Sequence, residues 1–357
     1  MVLLSCGNLK KNSDDQDERK VYFDSAFTEK FLPMGDGFTG ADGIYSVEIP
    51  DGRNVWIFGD TFFGHVTADN KRIKTDPMYI RNSFLVQQKD SFEFVHQGTK
   101  QNPVSIMVPP EVTDQSSGYG ELNLWYWPGD GYVDGSMLNV FVSKFFQEDL
   151  NNMWGFEFRE TNLVQFSLPD FKPLKIHRFE NLDSIHFGHC LLEDGSDLFI
   201  YGLKNGKPYL ARALQRNVLK PWEFYNGKSW SEKANDAQPI LDFKGSEQFS
   251  VFKSNETYIM IMQQGGLSPD IYSFTSSTPY GPWGNKKLLY TAQLPEGCKQ
   301  CFTYNALAHP QFTADNMLLI SYNTNTHLLP EHFRDALLYR PRFIRVPMEL
   351  ILGEKSE

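Results

Sequence analysis

Three aspartates of the N-terminal region occupy positions from which their carboxyl groups could meet. Asp36 and Asp42 each precede a glycine, and Asp60 follows the apolar run Val55–Gly59. The pattern predicts a hairpin with one strand from Gly43 to Glu48 and a returning strand from Val55. Asp42 and Asp60 would then lie at the same end of two adjacent strands. Hydrolysis of a glycosidic bond requires such a pair, with one carboxyl protonated and the other ionised.

We therefore predict Asp42 and Asp60 as catalytic residues and Asp36 as a nearby substrate-binding residue. The alternative for Asp36 and Asp42 is that they stabilise turns, which is the commonest role of an Asp-Gly pair. Glu247 opens a later predicted strand and is a third catalytic candidate, as a proton donor. The alternative for Glu247 is a solvated glutamate at a strand end.

Other polar side chains next to predicted strands are candidates for hydrogen bonds to sugar hydroxyl groups. They are Arg81, Asn82, His189, Tyr304, Asn305 and His309. Trp125 and Trp127 alternate along a strand, so both indole rings would lie on one face. An aromatic face suits the apolar C–H face of a sugar, although the same two rings could be core between sheets.

The histidine and cysteine pattern does not predict a metal site. His186 and His189 would need an oxygen ligand as a partner, and one of them could be a packed imidazole. We expect no metal and no cofactor, while a cation bound in the channel stays open. Cys298 and Cys301 form a single Cys-x-x-Cys pair, whereas structural zinc needs two pairs or nearby histidines. A local disulfide or two free thiols is therefore favoured, and Cys190 is expected to be packed.

The elements that must position these residues recur with a period of about sixty residues. Five short apolar strands each follow a turn rich in Asp, Gly or Asn, and the last four begin 60, 60 and 59 residues apart. The longer first gap predicts an insertion around residues 65–118. A constant period of one β-meander is typical of a β-propeller. We predict an all-β, five-bladed propeller over residues 21–350, with twin β-sandwiches as the alternative.

The two ends of the chain are expected to meet in one blade. The segment Lys20–Asp24 has strand character, and so does Arg342–Val346 near the C-terminus. Pairing between them would close the ring and remove an open sheet edge.

The N-terminus is similar to the end of a bacterial lipoprotein signal. Small Ser5 precedes Cys6, and a polar stretch follows that cannot bury a core. We expect residues 1–20 to form a signal remnant and flexible tether, with lipid attached at Cys6 as the only membrane contact. This places the protein in the bacterial cell envelope, in the periplasm or on the outer membrane. The alternative is a free cysteine in a disordered tail.

Composition excludes several classes of function. The formal net charge of −10 opposes nucleic-acid binding, which normally uses a basic surface. No apolar run approaches the ~18 residues of a membrane span. Phosphate loops, nucleophile elbows, dinucleotide fingerprints and metalloprotease motifs are missing from the sequence. We expect a monomer.

The stretch Gly40–Gly64 resembles a family of uncharacterised five-bladed propellers found in Bacteroidetes lipoproteins. It is also similar to the related endo-D-arabinanases. The segments Thr278–Trp283, Thr303–Pro310 and Leu338–Phe343 agree, so the resemblance extends over about residues 25–347. It implies a propeller fold and a catalytic role for Asp42 and Asp60.

The sequence thus favours a glycan-active envelope protein, a glycoside hydrolase of the arabinanase type whose partner is a polysaccharide or oligosaccharide. Two alternatives stay open because propellers serve many functions. One is a lipoprotein that binds glycans without cleaving them, and the other is a propeller that binds proteins.

Overall fold

The computed structural model of the chain describes residues 20–32, 36–113, 123–152 and 154–353. Within these ranges the chain consists mainly of β-strands with three short α-helices, which confirms the predicted all-β class. Cys6 and residues 1–19 of the predicted tether lie outside the described residues. None of the helices in the described part has the length and apolar character needed to cross a bilayer.

The first third of the chain forms one large sheet and a small side sheet. In chain order its elements are β1 (Tyr22–Phe23), α1 (Ser25–Glu29), β2 (Asp36–Ala41), β3 (Tyr45–Glu48), β4 (Asn54–Phe58), β5 (Thr61–His65), β6 (Tyr79–Ile80), β7 (Ser83–Gln88), β8 (Ser91–Val95), β9 (Gln97–Gly98) and β10 (Pro103–Val104). Sheet I has the order β3-β4-β7-β8. The side sheet has the order β2-β5-β6, and β9 pairs with β10.

Four further sheets follow in chain order. Sheet II contains β11 (Leu124–Asp134), β12 (Met137–Gln147), β13 (Phe156–Ser167) and β14 (Pro173–Phe179). Sheet III contains β15 (His186–Asp194), β16 (Asp197–Lys204), β17 (Lys207–Ala213), β18 (Glu223–Tyr225) and β19 (Trp230–Ser231). Sheet IV contains β20 (Ser250–Ser254), β21 (Thr257–Gln263), β22 (Asp270–Ser276) and β23 (Gly284–Thr291). Sheet V contains β24 (Cys301–Ala314), β25 (Met317–Thr326), β26 (Pro341–Pro347) and β1, and the remaining helices are α2 (Glu331–Arg334) and α3 (Met348–Leu352).

The predicted repeat corresponds to these sheets, but the predicted insertion is partly wrong. The second strands of sheets II to V begin 60 residues apart, at Met137, Asp197, Thr257 and Met317. Residues 83–95, assigned to the insertion, instead form β7 and β8 of sheet I, because the apolar run 84–86 is fully buried in the core. The additional length lies in the side sheet and in the segment after β8.

The second strand of each sheet contains a largely apolar run because both of its faces are buried. In β16, Leu198 and Ile200 contribute to one core cluster, whereas Phe199 and Tyr201 contribute to another. Alternate residues of a strand point to opposite faces, so each second strand supplies side chains to two different interfaces. This explains why these strands read as continuous apolar runs rather than as alternating patterns.

Five core clusters lie between pairs of sheets. One cluster lies between sheets I and II, and the others lie between II and III, between III and IV, and between IV and V. The fifth joins sheet V to sheet I, where Leu319 and Phe343 pack with Trp56 and Phe58. Each sheet therefore buries its two faces against two neighbours, which a single sheet could not do alone.

The N-terminal segment is held between sheets V and I. Strand β1 pairs antiparallel with β26, in the register Tyr22 with Arg345. The Asp24 carboxylate accepts a hydrogen bond from Arg345 Nε at 2.9 Å and another from the Phe27 amide, which caps α1. Phe31 follows α1 and is fully buried in the fifth cluster. The pairing expected between the two ends of the chain is thus present.

Deletion of residues 1–26 should lower the melting temperature by about 5–10 °C, because it removes the pairing with β26, the Asp24–Arg345 bond and the cap of α1. Deletion of residues 1–19 is the matched control and should leave the melting temperature unchanged. Equal melting temperatures for the two truncations, measured by calorimetry, would show that β1 does not stabilise sheet V.

Candidate functional site

A cleft of about 1040 Å³ lies where the first strands of the five sheets begin. Its floor is formed by the segments that enter those strands, which are Asp42–Gly43, Trp125–Pro128, Ser184–His189, Gly245–Gln248 and Phe302–Asn305. A second cavity of about 360 Å³, the inner channel, lies further along the same strands. It contains Asp130, whose pKa burial raises to about 7 although two backbone amides donate to it.

Irregular pairing of β-strands at the mouth of the cleft turns some side chains toward the cleft. The register shifts between Pro128 and Gly131 in sheet II, between Phe187 and Cys190 in sheet III, and between Tyr304 and Leu307 in sheet V. A β-bulge leaves residues unpaired and breaks the regular alternation of side chains. The residues released in this way include His189 and Asn305, which both line the cleft.

The hairpin of β3 and β4 brings Asp42 and Asp60 together at one side of the cleft. Tyr45 pairs with Ile57, and the Gly59 amide donates to the Asp42 carbonyl oxygen at 2.8 Å. A Cβ atom at Gly59 would lie 2.6 Å from Asp42 Oδ1, so only glycine leaves room for this carboxyl. The hairpin geometry predicted from the sequence is therefore present.

Each carboxyl of the pair has its own set of donors. Asp42 Oδ2 accepts a hydrogen bond of 2.6 Å from the Tyr304 hydroxyl, and the Tyr339 hydroxyl also lies beside this carboxyl. Asp60 Oδ1 accepts one of 2.8 Å from Trp127 Nε1, and Arg81 Nη1 lies 3.3 Å from Asp60 Oδ2. The donors of Asp42 are neutral, whereas Asp60 has a cation beside it.

These surroundings affect the pKa values of the two carboxyls differently. Burial, and then the nearby charge of Asp60, raise the pKa of Asp42 to about 7, against the effect of its hydrogen bonds. Burial also raises the pKa of Asp60, but Arg81 and Trp127 oppose that shift. When two close carboxyls share one proton, the proton binds mainly to the carboxyl whose surroundings stabilise a negative charge less. Near neutral pH Asp42 is therefore the carboxyl of the pair that more readily holds a proton, and Asp60 is the one that more readily carries the charge.

Arg81 is fixed by the aromatic wall of sheet II. Its guanidinium lies 3.9 Å from the ring centre of Trp125, a cation–π contact, and Trp125 itself is only 1% exposed. Trp125 lines the cleft, but Arg81 covers its ring, so its contact with a sugar stays a prediction. Trp127 lies on the same face, as the alternation predicts, and its ring centre is 5.3 Å from that of Trp125.

Glu247 lies in the cleft, but its surroundings oppose a role as proton donor. Its Oε1 is 2.7 Å from His186 Nδ1 and 3.4 Å from His189 Nε2. Burial raises the pKa of Glu247, yet the hydrogen bond from His186 and the nearness of both imidazoles outweigh that effect and hold it well below the usual range. The carboxyl stays ionised, so the expectation that Glu247 acts as the acid is not supported by its chemistry.

Three predicted substrate-binding residues do not line the cleft. Asp36 is exposed on β2 and lies 3.0 Å from His65 Nδ1. Asn82 is fully buried and donates to the carbonyl oxygens of Met107 and Tyr126, which ties sheet I to sheet II. His309 is buried beside the inner channel and hydrogen-bonds two serine hydroxyl groups. The structure therefore places these three residues outside the cleft, and Asn82 and His309 hold the local structure.

Tyr304 and Asn305 do lie in the cleft, as predicted. Tyr304 bonds Asp42 directly, and Asn305 Oδ1 accepts from the Gln248 amide at 3.2 Å. Sequence reasoning did not select Tyr339, whose hydroxyl donates to the Asp60 carbonyl oxygen at 3.2 Å and lies beside Asp42, where it helps to lower the pKa of that carboxyl. Tyr339 lies 279 positions from Asp60 along the chain, and no local pattern indicates that contact.

Trp154 was also missed. It lies on the loop between β12 and β13 of sheet II, and its ring centre is 6.4 Å from that of Phe302 in sheet V. The side chain is about half exposed, at 52%, and lines the cleft. An exposed aromatic on a loop that crosses from one sheet to a non-adjacent one is suited to contact a ligand.

The pairing and burial of the described cysteines agree with what the sequence favours. Cys298 and Cys301 form a local disulfide, and Cys190 is buried in the cluster between sheets III and IV.

Comparisons with known proteins identify the family and the type of fold. A family model described as "Domain of unknown function (DUF5005)" matches residues 24–348. Comparison with curated proteins gave no match. A solved structure of a candidate hydrolase from Bacteroides ovatus ATCC 8483 is 25% identical, with a TM-score of 0.80 over 94% of this chain and 92% of that one.

Two solved glycoside hydrolases share the fold at lower identity. The GH43 protein BlXynB from Bacillus licheniformis is 13% identical, with a TM-score of 0.52 over 86% of this chain and 51% of that one. A xylan beta-1,4-xylosidase from Bacillus halodurans C-125 is 11% identical, with a TM-score of 0.51 over 88% and 54%. The chain thus spans about half the length of these two enzymes, and it has a propeller fold like theirs.

The raised pKa of Asp42 predicts how stability depends on pH. Below its ordinary pKa of 3.8 the carboxyl is protonated in both states and changes nothing. Between pH 4 and about 7 only the unfolded chain gains the charge, so the free energy of unfolding falls as pH rises. The variant Asp42→Asn should therefore be more stable than the native protein by ~2–4 kcal/mol at pH 8. This advantage should vanish near pH 4 in urea titrations, and an equal difference at both pH values would contradict the raised pKa.

Proposed function

This chain belongs to the DUF5005 family, and we propose that it is a glycoside hydrolase that uses Asp42 and Asp60 as its catalytic pair. One observation carries this proposal. Two carboxyls lie side by side in an open cleft, one with its pKa raised to about 7 and the other held by a guanidinium and an indole N–H. A protonated and an ionised carboxyl acting together are the chemical requirement for glycosidic cleavage.

The proposed roles follow from the surroundings of each carboxyl. Asp42 would donate its proton to the oxygen of the leaving sugar, since its pKa of about 7 keeps part of the protein protonated there at neutral pH. Asp60 would act on the other side of the anomeric carbon, by activating a water or by attacking directly. Tyr304 and Tyr339 would hold Asp42 in place and stabilise its carboxylate after proton transfer. Arg81 would keep Asp60 ionised and oriented.

We further propose that sheets I to V are the blades of a five-bladed propeller, with β1 closing the ring. The core clusters between successive sheets, and the one between sheets V and I, support this arrangement. The pairing of β1 with β26 supports the closure. In such a ring the first strands surround one axis, so residues from all five blades can meet one substrate.

The substrate proposed first is an arabinan. The resemblance of Gly40–Gly64 to endo-D-arabinanases supports this choice, and the cleft is large enough for several sugar rings. Trp127 and Trp154 would supply aromatic surfaces for the apolar faces of those rings.

We also propose an envelope location, with lipid attachment at Cys6 and a monomeric protein. The disulfide between Cys298 and Cys301 supports an oxidising compartment, because disulfides are rare in reducing cytosol.

Asp42→Asn and Asp60→Asn should each reduce hydrolysis of arabinans, or of whichever polysaccharide in a panel is cleaved, by at least ~10³-fold. Asp36→Asn is the matched control, since that carboxyl lies outside the cleft, and it should keep full activity. Product release is followed by chromatography of the shortened chains. Retained activity in both cleft variants would refute the catalytic assignment, and binding without chain shortening by the native protein would favour the glycan-binding alternative.

Trp154→Ala should raise KM about tenfold and leave kcat nearly unchanged, since stacking on a sugar contributes ~1.4 kcal/mol to binding in both ground and transition states. Leu174→Ala is the matched control, because Leu174 is an exposed apolar residue on β14 that does not line the cleft. An unchanged KM for oligosaccharides would show that Trp154 contacts no sugar.

A further inference from the structure

Three side chains converge in the cleft, two from sheet III and one from the segment that precedes sheet IV. Glu247 Oε1 lies 2.7 Å from His186 Nδ1 and 3.4 Å from His189 Nε2. One ligand atom from each of the three residues lies within 4.8 Å of the other two. In the described part of the chain this is the one group of three or more such residues whose donor atoms meet in this way.

The backbone is distorted so that both histidines face the cleft. Residues three apart on a regular strand point to opposite faces, so His186 and His189 would normally diverge. The bulge between Phe187 and Cys190 breaks this alternation, and Gly188 adopts a φ of +98° within it. A Cβ atom at Gly188 would lie 2.5 Å from Cβ of Phe141, so the bulge depends on glycine at this position.

His189 lacks a hydrogen-bond partner although it is buried. Its exposed fraction is 4%, and neither ring nitrogen makes a hydrogen bond of acceptable geometry in the described structure. Buried polar groups without partners are rare and costly. His186, in contrast, is held against the ring of Phe158, with 3.5 Å between the ring centres. His189, a buried imidazole without a hydrogen bond of acceptable geometry, lies beside the packed imidazole of His186 and the carboxylate of Glu247. This arrangement indicates that a further group binds here.

We propose that His186, His189 and Glu247 bind a divalent transition-metal ion of the Zn²⁺ type. Two imidazole nitrogens and one carboxylate oxygen are a ligand set that zinc accepts with an open fourth position. Calcium and magnesium prefer oxygen ligands and are disfavoured by this set. The 3.4 Å separation is close to the ~3.3 Å between ligand atoms around a tetrahedral zinc, and the 2.7 Å hydrogen bond between His186 and Glu247 would have to lengthen by about 0.6 Å to admit the ion.

The open position of this ion would face the cleft. Glu247 is about half exposed there, and all three residues line the cleft that contains Asp42 and Asp60. The fourth position would take a water or a hydroxyl oxygen of a bound glycan. Metal binding does not depend on the hydrolysis proposed above, and either property can be present without the other.

The test is direct measurement of metal binding to the purified full chain. After dialysis against Zn²⁺ and then against metal-free buffer, elemental analysis should find one zinc per chain. Calorimetric titration should give a saturable site, and Zn²⁺ should raise the melting temperature. Glu247→Gln and His189→Ala should each weaken Zn²⁺ binding by at least ~100-fold and abolish the rise in melting temperature.

His177→Ala is the matched control, because this histidine lies on β14 of sheet II beside Gln165 and outside the cleft. It should bind zinc as the native protein does. Glu247→Gln keeps the shape of a half-exposed side chain, so it should fold even where His189→Ala does not. The proposal is overturned if the native protein shows no saturable zinc binding, if Glu247→Gln binds zinc unchanged, or if Ca²⁺ binds more tightly than Zn²⁺.

Discussion

The candidate site depends on one electrostatic constraint, which is that two neighbouring carboxyls in a poorly solvated cleft resist carrying a charge at the same time. Burial raises the pKa of both Asp42 and Asp60, and each raises the cost of ionising the other. The surrounding side chains then decide where the charge resides. Arg81 and the Trp127 indole stabilise the charge on Asp60, whereas Asp42 has only tyrosine hydroxyls as side-chain donors. The division between acid and base follows from these neighbours.

The fold meets this constraint by drawing the neighbours from three sheets. Asp42, Asp60 and Arg81 come from the region of sheet I, Trp127 comes from sheet II, and Tyr304 comes from sheet V. These residues meet because the first strand of each sheet begins at the same end of the molecule. The second strands, buried on both faces, carry most of the packing, so the residues at the cleft are free of that role.

Local patterns in the sequence predict those parts of the structure that local forces determine. The 60-residue period predicts the repeated sheets, and the strand directions place Asp42 beside Asp60. Contacts between distant segments are not encoded in this way. Tyr339 reaches the pair across 279 positions, and the bulge at Gly188 reverses the direction in which His189 would point.

The residues that lie away from their expected positions have related causes. Asp36, Asn82 and His309 are polar residues near strand ends, but whether such a residue faces a cleft or a neighbouring sheet depends on packing that sequence spacing does not specify. The apolar run from Phe84 to Val86 was assigned to an insertion because the side sheet separates it from its partner strand β4.

The most direct test of the paired-carboxyl account is a ¹³C NMR titration of the aspartate side-chain carboxyls. In the native protein two aspartate carboxyls should titrate near pH 7, because burial raises the pKa of Asp130 as well as that of Asp42. The variant Asp42→Asn should show one of these resonances fewer, with the Asp130 titration retained. If the resonance assigned to Asp42 titrates below pH 5 in the native protein, Asp42 is ionised at neutral pH and the account is wrong.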